Sequence, residues 1–204
     1  LEYLAMQNGK NVSVIMPYAD SLKYIADWYC QLWGESLGKA VDKDGNVVYA
    51  GQTPVKSLGV TDQHSQVQLY TEGPFDKVVT FLAVENYRGE VVISEGCPDI
   101  PDVNFLCGHT MNELIQAERV ATEYALTVKE RLNRTIYLPQ LNAFTLGQLL
   151  FFFENSMNFE KSCIISTSES MKKHNDIAIS KLMNFCKFQP FSEYNVNISV
   201  IISI

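Results

Sequence analysis

The segment Gln31-Leu32-Trp33-Gly34-Glu35-Ser36-Leu37-Gly38-Lys39 sets a carboxylate at the end of an aromatic-rich, helix-periodic stretch. Apolar neighbours raise the proton affinity of a carboxylate toward that of a useful base, so Glu35 is a candidate for proton transfer. The same spacing puts Glu35 and Lys39 four residues apart on one helix face, where they would form an ion pair without chemistry. Gly59-Val60-Thr61-Asp62-Gln63-His64-Ser65-Gln66 holds more hydrogen-bonding side chains than a packing segment needs, and His64 is its imidazole. An imidazole exchanges protons near pH 7, although a lone histidine also serves structure. Asp62 could orient that ring or close an Asx turn.

Other polar clusters carry less. Cys97, Cys107 and His109 fit no standard metal-ligand spacing, and His109 reads as a loop residue before a helix cap. No G-x-G-x-x-G or G-x-x-x-x-G-K-[ST] loop is present, so neither a metal nor a nucleotide cofactor is expected.

Strand and helix signals alternate around these residues. Val12 to Met16 predicts a strand closed by Pro17, and Asp20 caps a helix with Leu22, Ile25, Ala26, Tyr29 and Trp33 at helical spacing, ending at Gly38. Lys43-Asp44-Gly45-Asn46 is turn chemistry between two short extended pieces, whereas residues 51–59 hold too much Gly and Pro for regular structure. Lys77 to Glu85 is the clearest strand, followed by an irregular stretch through Asp102. Thr110-Met111-Asn112-Glu113 is a capping box opening a helix to about Arg131, with Leu114, Ala117, Ala121, Tyr124 and Val128 striping one face. Thr135 to Leu138 predicts a strand ended by Pro139, and Thr145-Leu146-Gly147-Gln148 a second capping box whose helix runs through about Phe153. Such alternation favours an α/β fold with a largely parallel sheet. From Asn155 onward no 2.0 or 3.6 period is sustained, and the chain ends in the β-aggregation-prone run Ser199 to Ile204.

Composition narrows the partners. With 204 residues, 47% hydrophobic and 19% charged, the chain is that of a globular protein. A net charge of -7 argues against a nucleic-acid or anionic-membrane surface, and no apolar run of about 18 residues is available to span a bilayer. Five scattered cysteines, odd in number, point away from a disulfide framework and toward the reducing cytoplasm. The chain begins at Leu1 without an initiator methionine, as one cut inside a longer protein or processed would.

At Trp28 to Lys39, WYCQLWGESLGK, and at Gly59 to Gly73, GVTDQHSQVQLYTEG, the sequence resembles the glucose-6-phosphate isomerase family. The resemblance continues through TPVKSLG, GPFDKVVTFL, GHTMNELIQAERVATEYAL and FTLGQLL, in order, over residues 1–153, and corresponds to the C-terminal portion of the family. It implies an incomplete three-layer α/β/α sugar-isomerase (SIS-type) domain and metal-free interconversion of glucose 6-phosphate and fructose 6-phosphate, in glycolysis and gluconeogenesis. Glu35 matches the glutamate of the ES-x-GK block, which shuttles a proton between C2 and C1 through a cis-enediol, and Gln31 matches a glutamine of the substrate site. His64 matches the histidine that assists ring opening; in the family it reaches the active site of the neighbouring subunit, which implies a homodimer.

Two departures accompany this resemblance. The family's Ser/Thr-rich phosphate loops and an arginine near the enediolate belong to an N-terminal domain upstream of Leu1. A late Q-x-G-V-E-x-x-K block with a ring-opening lysine has no match after Phe153, and Lys172, Lys173 and Lys181 have the wrong surroundings for it. Residues 154–204 therefore read as a divergent tail, consistent with out-of-frame translation. The alternatives are a catalytically inactive part of the enzyme, or another SIS-type sugar-phosphate-binding protein.

Overall fold

In the computed structural model of the chain, residues 1–94, 100–166 and 199–203 are described. The helices are α1 (Glu2–Gln7), α2 (Lys23–Leu37), α3 (Val67–Glu72), α4 (Met111–Val128) and α5 (Ala143–Ile165). The strands are β1 (Val12–Pro17), β2 (Lys39–Val41), β3 (Val47–Ala50), β4 (Thr53–Lys56), β5 (Lys77–Asn86), β6 (Asn133–Gln140) and β7 (Ser199–Ser203). One sheet has the order β4-β1-β5-β6-β7; the first four strands are mutually parallel and β7 lies antiparallel on β6. Strands β2 and β3 make a separate antiparallel hairpin.

β1 and β5 are buried along nearly their whole length because helices cover both faces of the sheet. On one face Ile15, Leu82, Val84 and Ile136 meet Tyr29 and Trp33 of α2 and Leu149 and Phe153 of α5. On the other, Val14, Met16, Val79 and Phe81 meet Tyr70 of α3 and Leu126 of α4. The expected three-layer α/β/α architecture with a largely parallel sheet is thus present.

Helix α2 is locked in place by its aromatic residues. Tyr29 and Trp33 stack at 4.9 Å between centroids, with Phe153 edge-on to Tyr29 at 5.0 Å. The Tyr29 hydroxyl shares a 2.7 Å hydrogen bond with Ser13, and Trp33 Nε1 donates to Gln52 Oε1 at 3.3 Å, so both polar tips are satisfied indoors. The helix runs antiparallel to β4: Asp27 pairs with Lys56, Gly34 overlies Pro54, and the last turn abuts Gly51. Gly51 has φ of +137°, and a Cβ there would stand 3.2 Å from Gly38 Cα, so this crossing requires glycine.

Several local expectations change. Asp20 opens a 3-10 turn rather than capping a helix, and α2 begins at Lys23 without a side-chain cap. Residues 51–59 are not wholly irregular, because Thr53–Lys56 forms β4; it is an edge strand, where Pro54 costs no ladder bond. Strand β6 continues through Pro139 to Gln140; among the described residues β7 pairs with Asn133 to Tyr137, so Pro139 lies beyond that ladder and costs it no bond. The cap of α5 is Asn142 rather than Thr145: Asn142 Oδ1 accepts from Thr145 N at 2.9 Å while Thr145 Oγ1 accepts from Asn142 N at 3.1 Å. That helix runs to Ile165 rather than Phe153, burying Met157, Glu160, Cys163 and Ile164 at helical spacing; a glutamate in a core position hides the period.

Helix α4 has the capping box at Thr110 and Glu113, but its Ala117, Ala121, Tyr124 and Val128 stripe faces outward, with Tyr124 69% exposed. Its inward face carries Arg119, Thr122 and Leu126. The polar members are satisfied there: Arg119 Nη1 meets Glu123 Oε2 at 2.6 Å and lies over the Tyr137 ring, and Thr122 Oγ1 donates to Glu118 O at 2.9 Å.

A second buried polar group lies beneath α1. Glu2 Oε1 stands 2.7 Å from Arg134 Nη2 but off the hydrogen-bond axis, so charge rather than alignment joins them. Arg134 Nε donates to Thr80 Oγ1 at 2.9 Å. Burial, and then the negative charge of Glu2, push the Glu160 carboxyl up to about 8. Among the described residues, no helix is long and apolar enough to cross a membrane. Cys97, Lys172, Lys173 and Lys181 lie outside the described residues, as does all but the backbone strand of the Ser199 to Ile204 run.

Candidate active site

Gln31 and Glu35 lie one turn apart near the end of α2, both exposed, with Gln31 Nε2 donating to Glu35 Oε1 at 3.3 Å. The ion pair with Lys39 does not form. Helix α2 stops at Leu37, Gly38 is extended (φ −64°, ψ 112°), and Lys39 opens β2 with its Nζ donating to Gly38 O at 3.1 Å. Among the described residues the expected apolar enclosure of Glu35 is also absent: Trp33 and Leu37 turn into the core, on the opposite side of the helix. The carboxylate is left open to solvent, with an amide as its neighbour.

His64 closes a 3-10 turn, Thr61–Gln63, and is exposed. Asp62 does not orient the ring. Its Oδ2 accepts from Leu58 N at 2.7 Å and its Oδ1 from Ser65 Oγ at 2.9 Å, which fixes the turn instead. Gln63 anchors the turn to the body, its Nε2 within reach of Tyr18 OH at 2.7 Å, Thr122 Oγ1 at 2.8 Å and Glu118 O at 3.2 Å. Burial raises the Tyr18 phenol, so it stays protonated. Gly59 lies against that ring; a Cβ would come within 2.6 Å of it. These anchors escape a sequence reading because Tyr18 and Thr122 lie far from His64 in the chain.

The two candidates do not meet within one chain. Asp27 sits beside Lys56 at the C-terminal end of β4, and Glu35 lies about 12 Å further down α2, toward the start of that strand. His64 follows the C-terminal end of β4, and its turn is bonded to α4 on the other face of the sheet. The structure therefore brings Gln31 to Glu35 and sets His64 apart.

His109 Nδ1 lies 3.3 Å from Glu113 Oε2 beside the α4 cap, as a loop residue there would. Two adjoining hollows, about 290 Å3 and 210 Å3, lie at the C-terminal ends of β1, β5 and β6, and neither contains Gln31, Glu35 or His64.

No family model matches the chain. Over 159 residues it is 57% identical to the glucose-6-phosphate isomerase of Carboxydothermus hydrogenoformans, covering 78% of this chain and 34% of that protein. The chain belongs to the glucose-6-phosphate isomerase family. The enzyme of that name from Rubrobacter xylanophilus is 46% identical over 142 residues (70% of this chain, 31% of that one), and that of Methanocaldococcus jannaschii 40% over 159 (78% and 37%). The chain thus spans about a third of the length of these glucose-6-phosphate isomerases. A hypothetical protein from Thermus thermophilus superposes with a TM-score of 0.69 at 27% identity, over 89% of this chain and 44% of that one. A glucose-6-phosphate isomerase from Chlamydia trachomatis, at 20% identity and a TM-score of 0.65 over 88% and 36%, shares the fold.

Proposed function

We propose that the chain carries part of the catalytic surface of a glucose-6-phosphate isomerase, with Glu35 as the proton-transferring base. In the open-chain aldose the carboxylate takes the proton from C2 and the electrons shift onto the carbonyl oxygen O1; the O2 hydroxyl proton passes to O1 through the cis-enediol, and the same carboxyl returns its proton at C1 as the O2 carbonyl forms. Such a reaction needs a base that holds its proton between two adjacent carbons and is tied to no cation. The observation that carries the reading is the Gln31–Glu35 contact of 3.3 Å on an exposed helix end from which Lys39 has been removed. Gln31 orients the carboxylate and borders the substrate.

His64 serves ring opening, where an imidazole exchanges protons with the ring oxygen. Its distance from Glu35 in one chain supports the homodimer, with His64 acting beside the Glu35 of a neighbouring copy. The role belongs to glycolysis and gluconeogenesis in the cytoplasm, a setting in keeping with free thiols at Cys30 and Cys163. The net charge of -7 favours neither nucleic acid nor an anionic membrane as a partner. Residues 1–153 form the SIS-type portion and 154–204 the divergent tail, with α5 carrying its packing across that boundary.

A second reading, a chain inactive by itself, is favoured by the placement of Glu35 outside both hollows. A coupled isomerase assay on the purified chain separates the two. Turnover that Glu35→Gln abolishes supports catalysis by this chain, and a folded chain without turnover supports the inert reading.

A further inference from the structure

The two hollows occupy a particular place in the topology. From β1 the chain crosses through α2 on one face of the sheet to reach β4; from β5 it crosses through α4 on the other face to reach β6. The neighbouring strands β1 and β5 thus send their connections in opposite directions, and the crevice between their C-terminal ends is where open α/β sheets take ligands. Ser21, Arg88 and Leu141 line both hollows, which makes them one continuous cleft.

Its chemistry is one-sided. The Arg88 guanidinium has no ion pair among the described residues, although the chain as a whole is strongly acidic. Its backbone is held on both sides. Tyr87 OH donates to Tyr18 O at 2.8 Å, and Asn112 Nδ2 donates to Gly89 O at 2.9 Å. Ser21 adds a hydroxyl beside Arg88, while Leu22, Ile25, Leu141 and Leu146 supply apolar wall. An exposed guanidinium without an ion pair among the described residues, on a segment whose two neighbours are held, presents forked donors matched to phosphate oxygens. The apolar wall would strip water from sugar hydroxyls without replacing their bonds, so it selects a less polar body than the substrate's.

We propose that the cleft between the C-terminal ends of β1 and β5 binds a small phosphate monoester with an apolar body, its head on Arg88 and Ser21. The site is separate from the Gln31–Glu35 surface. Tyr24, on the cleft wall, and Glu35 are 11 residues apart on α2, about 16 Å along the helix.

Phenyl phosphate titrated into the full 204-residue chain, followed by calorimetry and amide chemical shifts, tests this. Saturable binding of one equivalent is expected, with shifts at Ser21, Tyr24 and Arg88. Arg88→Gln, a surface change, weakens it by about tenfold or more, and phenol or inorganic phosphate alone binds at least about tenfold more weakly. Glu35→Gln leaves the affinity unchanged. Absence of saturable binding, equal affinity in Arg88→Gln, or loss in Glu35→Gln with shifts at the far end of α2, would each overturn the proposal.

Discussion

At Glu35 two outcomes that the WGESLGK spacing leaves equal are separated by one turn of helix. Had α2 continued to Lys39, the carboxylate would face an ammonium; because the helix ends at Leu37, it faces the Gln31 amide. Gln31→Leu should therefore lower turnover, in any preparation that has it, while leaving thermal stability within about 0.5 kcal/mol, since both side chains are exposed. Glu160 makes a prediction about stability. Its folded carboxyl is pushed from an ordinary 4.5 up to about 8, by burial first and then by Glu2. The folded state thus binds the proton more tightly than the unfolded chain does. Its contribution is complete below about pH 4.5 and is lost as pH rises toward about 8, a loss on the order of a few kcal/mol. Urea unfolding midpoints at pH 5 and pH 8 measure it, and Glu160→Gln is expected to flatten this part of the dependence. The sequence blocks pointed to Gln31, Glu35 and His64, but not to the loss of the Lys39 pair or the distance to His64. Both depend on where α2 stops and how it crosses β4.

Among the elements, β1, α2, β5 and α4 could be read from sequence because their signals are local: a β-rich run, an apolar period, a capping box. Those that resisted depend on neighbours. Thr53–Lys56 is a strand because an edge position tolerates Pro54, and α5 continues past Phe153 because Met157, Cys163 and Ile164 stay buried, with Glu160 among them held toward its protonated form by burial and by Glu2. The Asn142 box was shifted by one half, since Thr145 is its answering member rather than its cap. Asn142→Ala should cost about 1 kcal/mol of unfolding free energy by urea titration. Trp33→Ala, which empties a fully buried site and breaks the stack on Tyr29, should cost about 3–5 kcal/mol by the same measurement.

For the molecule as a whole, separation of Glu35 from His64 turns catalysis into a question of assembly. If a neighbouring copy supplies the imidazole, chains carrying Glu35→Gln and chains carrying His64→Ala, each inactive alone, regain activity when mixed, up to about a quarter of wild type for random pairing. Failure to complement, from partners shown to exchange, would place both groups in the service of one copy. The comparison with relatives adds scale: with about a third of their length, this chain holds four parallel strands of one sheet and the carboxylate, while Glu35 stays exposed.

The outward row of Val120, Tyr124 and Val128 on α4 also bears on how the chain behaves in a tube. Like-charged chains repel one another at low ionic strength, and salt shortens the reach of that repulsion. Sulfate at the same time strengthens the tendency of apolar surface to leave water. Both trends favour sticking, so the chain should salt out at lower ammonium sulfate than a Tyr124→Lys variant, whose precipitation curve provides the comparison. A row that looks idle in the folded monomer would then govern purification, storage concentration and the conditions under which the chain crystallises.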